Sequence, residues 1–278
     1  MGFAMTLANA MLVFRKDWME IRRNSQVLAP ILIVPLVFTV VLPLIVILVP
    51  SVIGMPETAY QGVGTIFENL PPDIKAIVEG MSAQQSMTYI FALYFFAPFF
   101  LIIPIMASSV LASDSFAGEK DRKTIEALLA TPLTDGELLL GKILVSFVPS
   151  MAVTISAFAL YCVVVDVSSF SLFNGAILLP NLLWAALIFL VTPLVALAGI
   201  GITVMVSLRV KGYREAQQLS AILVLPVLGL IFGQIGGVIM FGTTMIMLLV
   251  AGFAVTDLIL FRVGLRVFRR EEILMKSV

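Results

Sequence analysis

AQQLSAILVLPVLGLIFGQIGGVIMFGTTMIMLLVAGFAVT, from Ala216 to Thr256, is 41 residues long and carries no charge. A helix rises about 1.5 Å per residue and a hydrocarbon core is about 30 Å thick, so about 20 apolar residues cross it once. The stretch therefore reads as two crossings, with Gly233, Gly236, Gly237 and Gly242 marking a tight turn between them. Residues 218–236 make span 5 and residues 238–261 span 6. Towards the N-terminus, the uncharged run Val27–Val49 gives span 1 (27–50), and the run Gly80–Ser113 contains span 2 (87–113). Ile143–Val165 supplies span 3 (141–165). The run Val167–Leu208 is polar at Ser168, Ser169 and Asn174, which leaves one span 4 (176–206).

Hydrophobic residues make up 60% of the chain and charged ones 12%, against about 45–50% and about 25% in soluble globular chains, so the solvent is lipid. The 17 bases and 17 acids cancel, which argues against nucleic acid as a partner and moves attention to where the charges fall. Basic residues near span ends stay on the cytoplasmic side. With both termini inside, the N-terminal segment holds Arg15, Lys16, Arg22 and Arg23, and the other cytoplasmic segments bring the basic total to 16, leaving Lys75 alone outside. A five-span chain would put Arg262, Arg266, Arg269, Arg270 and Lys276 outside, so six spans are preferred. Histidine is absent and the one cysteine, Cys162, lies in an apolar run, which excludes disulfides, zinc sites and His-dependent triads. No catalytic residues, metal or cofactor are expected in this chain. No cleavable signal peptide is evident, since the first apolar run follows four basic residues and exceeds the usual length.

Within residues 1–26, Leu7, Met11, Phe14, Trp18 and Ile21 repeat at spacings of four and three while Arg15, Lys16, Asp17 and Glu20 fall off that stripe. This is the pattern of a helix lying along the membrane interface, or packed on a cytosolic partner. The outer loop 51–86 is long enough for a small cap with short helices around Ile66 and Ile74. Prolines at 30, 35, 43, 98, 104, 149, 180, 193 and 226 lie in or beside spans. The backbone bonds they remove must be met by neighbouring helices or water, either as ordinary tolerance or as hinges. Gly229, Gly233 and Gly237 form a small-residue ridge on span 5, for packing within the subunit or across a dimer. Span 2 is aromatic at Phe91, Phe95, Phe96, Phe99 and Phe100, and Phe95, Phe96 and Phe99 are candidates for a translocation path as well as for plain packing.

The loop 114–140 reads DSFAGEKDRKTIEALLATPLTDGELLL. Glu119 stands four residues before Lys123 and Arg122 four before Glu126, spacings that pair charges along a helix. Ile125, Leu128 and Leu129 share an apolar side, Thr131 and Pro132 stop the helix, and Thr134 with Glu137 makes a capping box that starts span 3. The result is a short amphipathic helix beneath the membrane, with a face to cover. Gly136–Lys142, GELLLGK, imitates a phosphate-binding loop, but Ile143 stands where a Ser or Thr must hold Mg²⁺ and no strand precedes it. If ATP is involved, another chain binds it.

Phe116–Lys142 (FAGEKDRKTIEALLATPLTDGELLLGK), Val210–Leu219 (VKGYREAQQL) and Phe268–Leu274 (FRREEIL) resemble the permease subunits of ABC type-2 exporters. Lys123 departs from the small residue, commonly Gly, of that pattern. The resemblance implies an all-α polytopic membrane protein with six transmembrane helices, an N-terminal interfacial helix and a cytoplasmic coupling helix between spans 2 and 3. It implies a single transmembrane domain over 1–278 in the prokaryotic inner membrane, paired with a second permease copy or close relative. Two separately encoded ATPase subunits would carry ATP and Mg²⁺. Glu119, Arg122, Lys123, Thr124, Ile125, Glu126, Leu128 and Leu129 would couple to them, with Arg214 and Glu215 of the loop 207–217 as a smaller contact or simple positive-inside retention. The tail is 262–278. The family carries drugs, antibiotics, lipids, polysaccharides and ions, and the scarcity of charge in the spans suits amphipathic, lipidic or weakly polar cargo.

The alternative is an ATP-independent channel or a membrane-embedded enzyme. Against it, Asp166 and Asp257 are the only acids close to membrane depth, both near span ends, and no span carries a filter-like glycine repeat.

Overall fold

Backbone N–H and C=O groups find no water in a hydrocarbon core, so long uncharged runs resolve into helices. The computed structural model describes residues 7–53, 70, 72–122, 124, 131–210, 212–236, 239 and 241–267. Among these, six helices are long and apolar enough to cross a membrane: span 1 Ser25–Pro50, span 2 Ala83–Glu119, span 3 Gly136–Ser169, span 4 Leu182–Ser207, span 5 Tyr213–Ile235 and span 6 Thr243–Gly264. A helix, α1, occupies Leu7–Ile21 ahead of span 1. The described residues contain no strand. Helices outrun the uncharged runs because a helix does not end where lipid ends. Span 2 continues through Asp114 to Asp121, and span 3 starts at Asp135 on the expected capping box, in which Thr134 Oγ1 accepts from Glu137 N.

Span 2 is the most buried of the six and packs against spans 1, 3, 4 and 5, whereas span 6 packs on span 4 and is almost nowhere buried. Without a hydrophobic drive between helices in lipid, close approach depends on small residues. A Cβ at Gly199 of span 4 would stand 2.7 Å from Ser108 Oγ of span 2.

Three spans widen into π turns: Val37–Val41 in span 1, Phe91–Phe95 in span 2 and Leu187–Val191 in span 4. Each turn is followed by a proline, at positions 43, 98 and 193, and each contains the residue four before it: Thr39, Tyr94 and Phe189. A proline ring clashes with that carbonyl and offers it no N–H, and a wider turn moves the carbonyl aside. Pro149 sits in an unbroken helix, so the widening is a response and not an obligation.

Around the π turn of span 2 lies the main core. Trp184 stacks on Tyr161 with centroids 4.8 Å apart and meets Phe100 edge-on at 5.0 Å. Phe96, 6% exposed, packs in this core. Phe95 and Phe99 are half-buried, Phe95 against Phe91 and Phe99 against Phe38 of span 1.

Candidate coupling site at the charged end

The expected apolar stripe of α1 packs only in part. Ala10, Val13, Asp17 and Ile21 are buried, while Leu7 and Met11 are exposed at 72% and 42% and Phe14 and Trp18 are half-buried. The reason is a close approach to span 3: a Cβ at Gly141 would lie 2.6 Å from Val13 Cβ and 2.7 Å from the Ala10 carbonyl oxygen. Only small or slender side chains fit that contact, so Leu7 and Met11 turn outwards, while Phe14 and Trp18 pack beside it against the cluster of Ile21, Val27 and Ile31.

The buried face carries a charge, and the partners come from spans 2 and 3. Asp17, Glu119 and Lys142 are each at most 3% exposed. Lys142 Nζ donates to Glu119 Oε2 at 2.7 Å and to the Ser115 carbonyl, and stands 3.6 Å from Asp17 Oδ2. Ser115 Oγ donates to Asp17 Oδ2 at 2.6 Å. Lys16 Nζ donates to the other Glu119 oxygen at 2.8 Å and lies 3.1 Å from Asp17 and 3.3 Å from Glu20. Arg122 extends the group, with Nη1 donating to Asp114 Oδ1 at 3.0 Å and Nη2 lying 3.6 Å from Glu20. Three cations thus face four carboxylates. Burial opposes the charge of Lys16, but Asp17 and Glu119 outweigh it and raise its pKa. Arg122 is raised in the same way, burial opposing and Asp114 prevailing.

Two further bonds widen the unit. Asn9 Nδ2 donates to Glu137 Oε1 at 2.9 Å, tying the start of α1 to the capping box of span 3. Asp121 Oδ2 accepts from Tyr213 N at 2.8 Å, tying the end of the span 2 helix to the start of span 5. α1 and spans 2, 3 and 5 therefore meet in one hydrogen-bonded, ion-paired junction. Among the described residues no three His, Cys, Asp or Glu side chains gather as metal ligands.

A family model described as ABC-2 family transporter protein matches residues 11–264, from α1 through span 6. The chain belongs to the ABC-2 transporter family. It is also similar to the ABC transporter permease protein NatB of Bacillus subtilis (strain 168), at 31% identity over 140 residues that cover 49% of this chain and 36% of that protein. The match thus takes in little more than a third of the relative. No solved structure matches the chain.

In this multi-pass ABC-2 protein the residues expected to couple are only partly within view. Lys123, Ile125, Glu126, Leu128 and Leu129 lie outside the described residues, as do Gly237, Lys211, residues 54–69 and 71 of the outer loop and residues 268–278. Glu119 is placed differently from expectation: it belongs to the last turns of span 2 and faces inwards, because two lysines from α1 and span 3 reach it there. Arg122 pairs backwards, with Asp114 and Glu20. Thr124 is exposed and outside the helix, its hydroxyl 3.5 Å from the Glu119 carbonyl. Arg214 and Glu215 are exposed on the first turn of span 5, two and three residues beyond Gly212, where a Cβ would collide with Asp121 at 2.0 Å. On the glycine ridge, a Cβ at Gly229 meets nothing within 4 Å, whereas one at Gly233 meets Ile239 of the following turn at 2.8 Å.

Sequence reasoning missed Lys16, Asp17, Ser115, Gly141 and Lys142. A signal existed. Asp17 continues the spacing of Ala10, Val13 and Ile21, an acid on a row of small and apolar residues, and Ser115 and Glu119 are one turn apart on span 2. The acids nearer the opposite end differ: Asp166 Oδ1 accepts from Leu178 N and Leu179 N at 2.9 and 3.1 Å, a structural role in the loop before span 4.

Proposed function

We propose that this chain is the transmembrane permease subunit of an ATP-driven exporter, working as a pair with a second permease copy or close relative. ATP and Mg²⁺ are bound by two soluble ATPase subunits. The charged end faces the cytoplasm with both termini and the loop 114–140, and residues 51–86 lie outside. The cargo is amphipathic, lipidic or weakly polar, or an ion. The observation that supports this reading is the junction itself. The loop that resembles a coupling helix leaves span 2 at a point where Glu119, Asp121 and Arg122 already hold α1, span 3 and span 5. A push on that loop is therefore delivered to several spans together, which a two-state transporter requires.

The experiment is the double substitution Glu126→Lys with Leu128→Asp, which leaves every span intact. Exchanging an exposed charge pair costs about 0–1 kcal/mol, but an unpaired carboxylate buried in a docking contact costs several-fold more. The expected result is a chain that inserts normally and either loses its ATPase on co-purification or hydrolyses ATP without transport. Normal assembly and normal ATP-dependent transport would contradict the proposal.

A further inference from the structure

Pro98 has no N–H, so in span 2 it deprives Tyr94 of its α-helical hydrogen bond and Leu93 of its π-helical one. Both orphan carbonyls, and that of Ala92 before them, are taken by side chains from three different spans. Tyr161 Oη of span 3 donates to Ala92 O at 2.7 Å, Trp184 Nε1 of span 4 to Leu93 O at 2.9 Å, and Gln234 Nε2 of span 5 to Tyr94 O at 2.9 Å. The amide orientation of Gln234 follows from the chemistry, since only its nitrogen can face a carbonyl oxygen.

The three donors are not equivalent. Tyr161 and Trp184 are wholly buried and stacked on each other in the main core. Gln234 belongs to the helix Val224–Ile235, which buries only Val227, Ile231 and itself. That helix thus meets the core through Val227, Ile231 and one hydrogen bond, with Val224, Leu228 and Leu230 partly buried beside them, a lighter attachment than that of spans 3 and 4 and one that parts at lower cost than theirs. The hydrogen bond also sets where it closes. We propose that Gln234 is a positioning residue for transport: its bond to Tyr94 O latches span 5 onto the π turn of span 2, and the seam between them opens when that bond breaks during the cycle. This rests on the exporter reading for its link to ATP, but not for the latch itself.

The test uses the full chain with Cys162→Ala and Ile231→Cys, purified with its ATPase in lipid vesicles; Ile231 is 4% exposed, three residues before Gln234 on the same helix and packed in the main core. A water-soluble maleimide should label the thiol slowly without nucleotide and faster during ATP hydrolysis. Adding Gln234→Leu, which has similar bulk and no donor, should raise nucleotide-free labelling about tenfold or more, about 1.4 kcal/mol in the opening equilibrium. Gln234→Glu supplies a second variant: relative to the parent at each pH, it should label slowly when the carboxyl is protonated and can donate, and fast when it is ionised. A Gln234→Leu chain that is merely less heat-stable, with unchanged labelling, overturns the latch. If both variants behave as expected but ATP changes nothing in the parent, the latch stands and the ATP-driven reading fails.

Discussion

Span 2 is held at its two ends by opposite means. At Glu119, charged side chains from α1 and span 3 close on one carboxylate; at the π turn no charge is present, and three side chains take up backbone carbonyls that Pro98 helped to orphan. The first arrangement is all-or-none, because removing one ion strands its partners in a dry place. The second is graded, since each carbonyl is satisfied separately. A helix fixed in both ways is rigid at its charged end and adjustable at its aromatic end.

The largest effect should come from Lys142→Met, which leaves Glu119 and Asp17 short of their buried cation. Breaking a buried pair this way costs about 3–5 kcal/mol. Thermal unfolding in detergent should fall sharply, and hydrogen exchange should accelerate through residues 10–18 of α1. An unaltered exchange pattern would show that the ions do not seat the helix.

Gly141→Leu attacks the same contact by bulk, since even a Cβ has no room beside Val13. Overpacking costs about 1–3 kcal/mol, and exchange should rise in α1 while the aromatic end stays protected. At that other end, Tyr161→Phe keeps the ring stacking and removes one donor, leaving Ala92 O buried without this partner, a loss of about 1–3 kcal/mol. Its exchange effect should be confined to residues near the π turn. If Tyr161→Phe loosened α1, the two ends would not be independent and the contrast between them would fail.

Lys16→Met should cost least, about 1 kcal/mol or less, because that side chain is 37% exposed and solvent screens it. Its pKa is raised on folding, so its contribution is fully present below the ordinary lysine value of 10.5 and is lost only as pH rises beyond it. Stability curves of the parent and Lys16→Met should run parallel through neutral pH and converge in strong alkali. Convergence near pH 7 would contradict the assignment.

The six spans were legible because 20-residue uncharged runs have few other solutions, and the two crossings in 216–256 emerged as helices broken at Gly236. The capping box at Thr134 was legible too, being local chemistry. The junction was not. Spacing along one helix suggested Glu119 with Lys123, which lies outside the described residues, and said nothing of the two lysines that reach Glu119 from 103 and 23 residues away, on helices whose rotation no local pattern specifies. The stripe on α1 was legible in part: Ile21 is buried and Phe14 and Trp18 pack beside it, but Gly141 brings the slender residues Ala10 and Val13 against span 3. The prolines announced missing backbone bonds without saying which side chains would supply the donors.

Under the proposed function the charged end receives the ATPase and passes its motion to the spans. Glu119→Gln combined with Lys142→Met tests it most directly, since it removes one opposite-charge pair together and leaves Asp17 with Lys16 and Ser115 as partners. ATP hydrolysis and transport should be measured side by side in vesicles containing the chain and its ATPase. The complex should assemble and hydrolyse ATP while transport per ATP falls about tenfold or more, the equivalent of about 1.4 kcal/mol of lost coupling. Full transport at the parent's ratio, or transport that continues with the ATPase removed, would contradict it.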